Sequence, residues 1–280
     1  MNNLYVIKCG GSFAMEKHWL APFLEMVKEL VKKDNFVVII HGGGPQADDL
    51  AHKLHVPVKK VNGKRVTDLQ TLQIAKMIYA GLINTDLVSS CIGQGIQAVG
   101  ISGVSSKLAE VVKRPKVYVR NNDTRITELV DFGYVGDMKK VNKKLLQLLL
   151  ENGYVPVVSC LGADDVGQVF NINADSLAAN IAVGLQAKKL IFISDVEGVA
   201  EDKNKINILR NLSFAKANEL ISQGVINGGM IPKIENSYIA LAENIKNVQI
   251  LGPLETKKEW QDAVLNEKFG TVITQGGDHE

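Results

Sequence analysis

Short apolar runs alternate with longer amphipathic segments along almost the whole of this 280-residue chain. The runs "LYVIK" (4–8) and "FVVII" (36–40) have the length and composition of buried strands. Between them, "HWLAPFLEMVKELVKK" (18–33) places apolar residues three and four positions apart, which is the spacing of one helix face. This order predicts an α/β protein with a mostly parallel sheet and helices on both faces of the sheet.

The same alternation continues to residue 274 and predicts the remaining elements. The further predicted strands are 97–102, 155–160, 189–194, 248–251 and 271–274. The further predicted helices are 45–54, 68–92, 142–153, 174–187, 213–224, 231–245 and 257–270. Residues 107–141 carry turn residues between alternating stretches, so we expect antiparallel strands or hairpins laid over the N-terminal part of the main sheet.

The alternation favours a single domain over residues 1–280, and it restarts near Lys188. If the domain has two lobes, they span about 1–187 and 188–280. Composition adds exclusions: a formal net charge of +2 without a long basic run is not typical of a nucleic-acid binder. The three cysteines, Cys9, Cys91 and Cys160, form no CxxC pair, which argues against a disulfide framework or a zinc site.

No apolar stretch approaches the ~20 residues that a membrane-spanning helix needs. The N-terminal stretch "MNNLYVIKCGG" lacks the basic and long apolar regions of a signal peptide. We therefore expect a cytoplasmic protein with neither a membrane nor a nucleic acid as its partner.

The stretch "FVVIIHGGGP" (36–45) places three glycines directly after a predicted strand. A backbone without Cβ atoms suits two kinds of site. It could let a phosphoryl group approach main-chain N–H groups, or it could form part of the oxyanion hole of an esterase. An esterase needs a serine in GxSxG, and the nearest match, "GISGV" (100–104), has valine in place of the second glycine. The chain has no GxxxxGK[ST], and "GQGIQA" (93–98) lies between a helix and a strand, the reverse of the dinucleotide-binding context.

Further turns with glycine or polar residues follow other predicted strands or precede helices. They are "KCGGS" (8–12), "GKRVTD" (63–68), "FNINAD" (170–175), "SDVEGV" (194–199) and "NGGMIPK" (227–233). Ligands of open α/β sheets bind at the carboxyl ends of the strands, where such turns meet. The set is larger than strand-to-helix connections alone require, so it predicts a ligand site.

Most charged or polar residues in these turns also have an ordinary structural explanation. Arg65 is expected in a loop, where an arginine is by default a surface residue, and Asn171 and Asn173 could cap the next helix. Asp175 could complement a helix dipole, whereas Lys233, a cation near a helix N-terminus, is poorly placed for that dipole. A functional role is therefore easier to argue for Lys233 than for the others.

In this order, the motifs KxGG, HGGGP, RVTD, NINAD, SDVxGV and GGMIPK resemble the amino-acid kinase family, and within it the N-acetylglutamate kinases, over nearly the whole chain. The resemblance implies an open three-layer αβα sandwich whose N-terminal lobe takes the acyl amino acid and whose C-terminal lobe takes the nucleotide. It implies ATP-dependent phosphorylation of the side-chain carboxylate of N-acetyl-L-glutamate in arginine biosynthesis, with Mg²⁺ bound through the nucleotide phosphates. It also implies a homodimer insensitive to arginine, since the N-terminal helix that some relatives carry does not fit before Lys8.

The resemblance also assigns roles to residues. Lys8 and Lys233 match the two lysines that stabilise the transferring phosphoryl group, and Asp175 matches the aspartate that holds them in place. The positions assigned to the acyl amino acid are Gly43, Gly44, Arg65, Asn171 and Asn173. The positions assigned to the nucleotide are Gly10, Gly11, Asp195, Val196, Glu197, Gly198, Val199, Ala200, Val225, Ile226 and Asn227.

These residue types suit the implied chemistry. A glutamate side chain has a pKa of ~4.3, so the attacking carboxylate is already ionised and needs no general base. The difficulty is electrostatic, because a carboxylate must approach a polyanionic phosphate, and positioning and charge stabilisation supply most of the acceleration. Two lysines would neutralise charge, the glycine turns would expose N–H groups, and Arg65 could grip a carboxylate with two parallel hydrogen bonds. The paired asparagines offer donors and acceptors for an N-acyl amide.

Two alternatives stay open from the sequence. A kinase of the same fold could act on aspartate, on carbamate, or on an acylated or carrier-linked aminoadipate or glutamate. A non-catalytic regulator could bind a nucleotide or an amino acid. The presence of Lys8, Asp175 and Lys233 together argues against the regulator, because binding alone would not need all three.

Overall fold

A computed structural model describes residues 3–120, 126–204 and 206–275 of the chain. The strands in chain order are β1 Leu4–Cys9, β2 Phe36–His41, β3 Lys60–Val61, β4 Lys64–Arg65, β5 Ala98–Ser102, β6 Ala109–Lys113, β7 Val117–Arg120, β8 Thr127–Val130, β9 Gly136–Val141, β10 Val155–Ser159, β11 Leu161–Ala163, β12 Val169–Asn171, β13 Lys189–Ile193, β14 Asn211–Ser213, β15 Val248–Leu251 and β16 Thr271–Thr274. The α-helices are α1 Gly11–Met15, α2 Lys17–Lys32, α3 Gly44–Lys53, α4 Leu69–Ala75, α5 Asn84–Gly93, α6 Lys144–Glu151, α7 Ala174–Leu185, α8 Phe214–Ser222, α9 Met230–Ala242 and α10 Lys257–Asn266.

The core of the molecule is an eight-stranded sheet with the strand order β14-β16-β15-β13-β1-β2-β10-β5. The neighbours from β15 to β5 all pair in parallel, whereas β16 runs antiparallel to β15. Every residue of β1, β10, β13 and β15 is buried, which requires cover on both faces of the sheet. The prediction of an α/β fold with a mainly parallel central sheet is therefore confirmed.

The helices cover the central sheet in two packed groups. Helix α2 contacts α10, and helix α7 contacts α9 as well as β1, β2 and β13. Helix α2 is amphipathic as the sequence predicts, with Leu20, Phe23, Leu24 and Val27 among its buried residues. A T-shaped contact between the rings of Phe23 and Trp260 (centroids 5.2 Å apart) joins α2 to α10. No helix in the described ranges is both long and apolar enough to cross a membrane.

The segment predicted to form antiparallel strands lies outside the main sheet. Strands β6 and β9 pair antiparallel within the four-stranded sheet β12-β11-β6-β9, and β7 pairs antiparallel with β8. Residues 121–125 of this segment lie outside the described residues. Two-residue strands β3 and β4 form a further hairpin, which means that Arg65, expected in a loop, is in fact the last residue of a strand.

The long helix predicted over residues 68–92 is continuous but not uniform. It begins at Leu69, after the N-cap Asp68, whose side chain accepts a hydrogen bond from the Thr71 amide. Its centre, Lys76–Ile83, is a π-helix that separates α4 from α5. Wide turns of this kind occur often at functional sites, and this one packs against the glycine turn that follows β2.

Candidate active site

The carboxyl ends of the parallel strands bring the predicted glycine turns together at one edge of the sheet. Gly10 and Gly11 follow β1, Gly42 to Gly44 follow β2, and Asp195 follows β13. Strand β1 lies between β2 and β13 in the sheet, so the three turns are neighbours. This is the edge at which open α/β sheets bind their ligands.

Asp175 lies between the two predicted lysines at this edge. The Nζ atom of Lys8 lies 3.0 Å from Oδ1 of Asp175, and the Nζ atom of Lys233 lies 3.5 Å from Oδ2. The side chains of Lys8, Asp175 and Lys233 are 11%, 7% and 10% exposed, so the cluster is close to the surface but largely out of water. Lys233 also donates to the main-chain oxygen of Gly229, one turn earlier.

The protonation of this cluster follows from burial and charge. Burial alone would favour a neutral Asp175, but the charges of Lys8 and Lys233 outweigh it and hold the pKa of Asp175 below its usual value. Burial opposes the charge of Lys8, yet the Asp175 carboxylate raises the pKa of Lys8 above its usual value. For Lys233, burial exceeds the attraction of Asp175, and its pKa is lowered. The cluster therefore holds an ionised carboxylate and a firmly protonated Lys8.

The turns that follow β1 and β2 touch each other through their glycines. An ideal Cβ atom on Gly11 would lie 3.1 Å from the Cα atom of Gly43, so a side chain there would push the two turns apart. Gln46, in the first turn of α3, donates from Nε2 to the main-chain oxygen of Gly11 (2.9 Å). This hydrogen bond fixes the spacing between the two turns.

Gly43 is required by packing against the π-helix. A Cβ atom on Gly43 would lie 2.4 Å from Cδ1 of Ile83 and 2.8 Å from Cδ1 of Tyr79. No such contact limits Gly44, where the nearest atom to a Cβ would be Nη2 of Arg65 at 3.9 Å. The π-helix therefore holds the turn from one side and Arg65 approaches it from another.

Arg65 is nearly buried, and its guanidinium contacts a carboxylate and a main-chain carbonyl group. Its Nη1 atom lies 2.7 Å from Oδ1 of Asp48, and its Nη2 atom donates to the main-chain oxygen of Gly44 (2.8 Å). The side chain of Arg65 is 9% exposed, which is unlike a surface arginine. The geometry places a fixed cation beside the glycine turn.

The two asparagines occupy different places. Asn173 is exposed and caps helix α7, since its side chain accepts a hydrogen bond from the Ser176 amide (2.9 Å). Asn171, which the sequence suggested as part of the helix start, instead ends strand β12 and donates to the hydroxyl of Thr67 (3.1 Å). Thr67 lies two residues after Arg65, so Asn171 is joined to the Arg65 segment.

The residues assigned to the nucleotide fall into exposed and buried groups. Asp195, Val196, Glu197 and Asn227 are exposed, and Ala200 and Val225 are half-buried. Gly198, Val199 and Ile226 are buried within the packing; the Val199 amide donates to Thr271 Oγ1. Asp195 faces the turn after β1, because its Oδ1 atom would be 3.7 Å from a Cβ on Gly10, and its charge acts on Lys233.

His41 and Cys9 take structural places beside the site. His41 is fully buried, with Nδ1 2.9 Å from the main-chain oxygen of Gly42 and Nε2 accepting from Asn84 Nδ2 (3.0 Å). Burial lowers the pKa of His41 to about 4, so it is neutral, with its proton on Nδ1. Burial of the Cys9 thiol raises its pKa far above the ordinary value, which makes it a poor nucleophile.

Sequence patterns did not single out Gln46, Asp48 or Tyr79. Asp48 resembles any acidic residue on an amphipathic helix, and its partners lie in a hairpin further along the chain. The available signal was position: Gln46 and Asp48 directly follow a glycine turn, at the helix start that faces the sheet edge. Among the described residues, no group of three or more histidine, cysteine, aspartate or glutamate side chains could hold a metal ion.

Comparisons with known proteins identify the family of this chain. An acetylglutamate kinase from Sorangium cellulosum is 39% identical over 96% of this chain and 93% of its own length. An acetylglutamate kinase from Methanocaldococcus jannaschii is 38% identical over 97% of this chain and 90% of its own length. The crystal structure of smu.665 from Streptococcus mutans superposes with a TM-score of 0.81 at 30% identity, covering 99% of this chain and all of that one. Residues 3–252 match the amino acid kinase family, and the chain therefore belongs to that family.

Proposed function

We propose that this protein transfers the γ-phosphoryl group of ATP to the side-chain carboxylate of N-acetyl-L-glutamate and so makes an acyl phosphate for arginine biosynthesis. The observation that carries the proposal is the bridging of Lys8 and Lys233 by Asp175 at the carboxyl edge of the sheet. Two ammonium groups and one carboxylate leave one net positive charge where two anions must meet. The names of the relatives support the choice of acceptor.

The chemical step needs no proton transfer. An oxygen of the acceptor carboxylate attacks the γ-phosphorus, and the bond from phosphorus to the bridging oxygen breaks, with ADP leaving as the anion. Lys8 and Lys233 would stabilise the oxygens of the transferring group, one from β1 and one from α9. Asp175 would keep the two ammonium groups apart and aimed at that group. The turns at 10–11 and 43–44 would present N–H groups to the same oxygens.

The two substrates would approach from the two halves of the chain. Residues 1–187 would bind the acyl amino acid through Gly43, Gly44, Arg65, Asn171 and Asn173. Residues 188–280 would bind the nucleotide through the segments 195–200 and 225–227, whose exposed members are Asp195, Val196, Glu197 and Asn227. Gly198, Val199 and Ile226 would shape these segments from inside, because their positions are buried.

Mg²⁺ would accompany the nucleotide, where it would neutralise phosphate oxygens. The carboxylate of the lysine cluster, Asp175, is already paired with two ammonium groups, which suits an ion held by phosphate rather than by the chain. We further propose that the enzyme acts in the cytoplasm as a homodimer.

The test is a hydroxamate assay with purified protein, ATP, Mg²⁺ and hydroxylamine, which captures an acyl phosphate. The panel comprises N-acetyl-L-glutamate, L-glutamate, L-aspartate, N-acetyl-L-aspartate and N-acetyl-L-2-aminoadipate. We expect N-acetyl-L-glutamate to exceed every other acid at least tenfold in kcat/KM. A stronger response to another acid would assign a different acceptor, and nucleotide binding without turnover of any acid would indicate a regulator.

A further inference from the structure

We propose that Asp48 is a positioning residue that holds Arg65 in place for the carboxylate of the acceptor, an inference that rests on the proposed function. Asp48 lies on α3, two residues after Gln46, and has no direct contact with the lysine cluster among the described ion pairs. Its effect on the reaction would therefore pass through Arg65.

Asp48 binds two cations with its two oxygens. Oδ1 lies 2.7 Å from Nη1 of Arg65, and Oδ2 lies 2.7 Å from Nζ of Lys60. Lys60 and Arg65 are directly opposite each other in the β3–β4 hairpin. One carboxylate on a helix thus ties both strands of the hairpin to α3.

The contact with Arg65 is the more shielded of the two. The side chains of Arg65 and Asp48 are 9% and 19% exposed, whereas that of Lys60 is 45% exposed. A guanidinium carries five N–H donors, so Arg65 can keep its contacts with Asp48 and Gly44 and still bind a carboxylate. Because these contacts already fix the rotamer of Arg65, its planar guanidinium loses little side-chain entropy when it forms paired hydrogen bonds with a carboxylate.

This arrangement repeats that of Asp175 at the other end of the site. In each cluster one carboxylate holds two cations, Lys8 and Lys233 in one and Lys60 and Arg65 in the other, and each cluster keeps one net positive charge. An acceptor with two carboxylates would place the reacting one beside Lys8 and the second one beside Arg65. The glycine turn that contacts Arg65 through Gly44 also contacts Gly11 through Gly43, which links the two ends.

The other face of the hairpin packs in an apolar cluster that does not include Arg65. Val61 is buried there against Phe132 and other apolar side chains. This packing holds the hairpin in place, whereas the guanidinium of Arg65 is oriented by Asp48 and by the main-chain oxygen of Gly44. Loss of Asp48 should therefore loosen the Arg65 side chain without unfolding the hairpin.

The neighbouring residue Asp49 provides a matched control. It lies on the same helix and pairs with Lys53 at 2.7 Å, but both side chains are about two-thirds exposed (65% and 69%). We expect Asp48→Asn to raise the KM for N-acetyl-L-glutamate at least tenfold while kcat and the KM for ATP change less than threefold. Asp48→Glu, which keeps the charge, should recover part of the loss, and Asp49→Asn should leave all three constants within twofold of wild type.

A double-mutant cycle tests whether Asp48 acts through Arg65. In an Arg65→Gln background, Asp48→Asn should change the KM for the acceptor by less than twofold, because the group it positions is gone. Circular dichroism and the melting temperature identify any variant that fails to fold, and Asp48→Glu then replaces Asp48→Asn in the cycle.

Multiplicative effects of the two substitutions, or an unchanged acceptor KM in Asp48→Asn, would overturn the proposal while the wild type remains active. A wild type that phosphorylates no acid would overturn the proposed function, and this inference with it. The two failures are therefore distinguishable from the wild-type measurement alone.

Discussion

Lys8 and Asp175 form an ion pair of 3.0 Å although one residue lies near the start of the chain and the other opens a helix in its middle. The same carboxylate reaches Lys233 with its second oxygen. A single acidic residue thus sets the distance between two ammonium groups, and both turnover and stability should depend on it in different ways.

Replacing either lysine should abolish most of the turnover. We expect Lys8→Met and Lys233→Met each to lower kcat by about 10²–10³-fold, since each removes one charged donor to the transferring phosphoryl group. The double variant should be much less impaired than the product of the two effects, because the lysines act as a unit. Steady-state kinetics with Lys257→Met as the control, a lysine paired at the surface with Glu29, measures this. Near-full activity of Lys233→Met would remove its assigned role.

Asp175 and Lys233 should differ in their effects on the free energy of unfolding. Asp175→Asn leaves two largely buried lysines without a counter-charge, which should cost about 3–5 kcal/mol. Lys233→Met leaves the Lys8–Asp175 pair intact and removes a cation whose pKa burial already lowers, so stability should change by less than about 1 kcal/mol. Urea unfolding of both variants checks the contrast, and equal losses would contradict it.

Gly43 and Gly44 should respond oppositely to a single methyl group. Gly43→Ala places a Cβ 2.4 Å from Ile83 and should cost about 1–3 kcal/mol by overpacking against the π-helix. Gly44→Ala meets no atom closer than 3.9 Å and should keep the melting temperature of the wild type. In the Gly43→Ala background, the further loss of stability from Ile83→Ala should be smaller than in the wild type, because Ile83→Ala removes one of the clashing atoms. Thermal unfolding of the wild type, the three single variants and the double variant checks this, and additive losses would contradict the proposed clash.

Stability should rise between about pH 4 and pH 6.5 through His41. Its pKa is lowered to about 4 in the folded protein by burial, so in this range the unfolded chain binds the proton that the folded chain excludes. The His41 contribution is therefore complete above the unfolded value of 6.5 and falls as the pH drops, by up to about 3 kcal/mol at pH 4. His41→Gln should flatten this part of the profile of unfolding free energy against pH. An unchanged slope would mean that other groups produce it.

The strong periodic segments made most of the fold predictable. Strands β1, β2, β10 and β13 are continuous apolar runs, and α2 shows a clear helical spacing, so their existence and the parallel sheet follow from local pattern. Strands β11, β12 and β14 have three residues each, which is too short to show any period. The π-helix packs on Gly43, a tertiary contact that local sequence does not indicate.

The order of the motifs predicted the residues of the lysine cluster, whereas the contacts that support the site are visible only in the folded structure. Lys8 stands out because it precedes the glycines at 10–11, and Lys233 because it follows the glycines at 228–229. Asp175 stands out because it opens a helix after two asparagines. Asp48 and Arg65 pair across a helix and a hairpin, and nothing near either residue in sequence indicates its partner. Asn173 shows the opposite case, since its capping role is local and its position before a helix predicts it.

The pairing of β1 on both sides has a consequence for synthesis on the ribosome. Strand β1 is among the first segments to emerge, yet one of its neighbours, β13, ends only at Ile193. Until that point is translated, one edge of the apolar strand β1 has no strand to pair with. Lys8 also lacks its ion-pair partner Asp175 until helix α7 has formed. Nascent chains released before β13 would leave this strand edge exposed to chaperones and proteases. Chains released before α9 would lack the second ammonium group, so they could not turn over substrate.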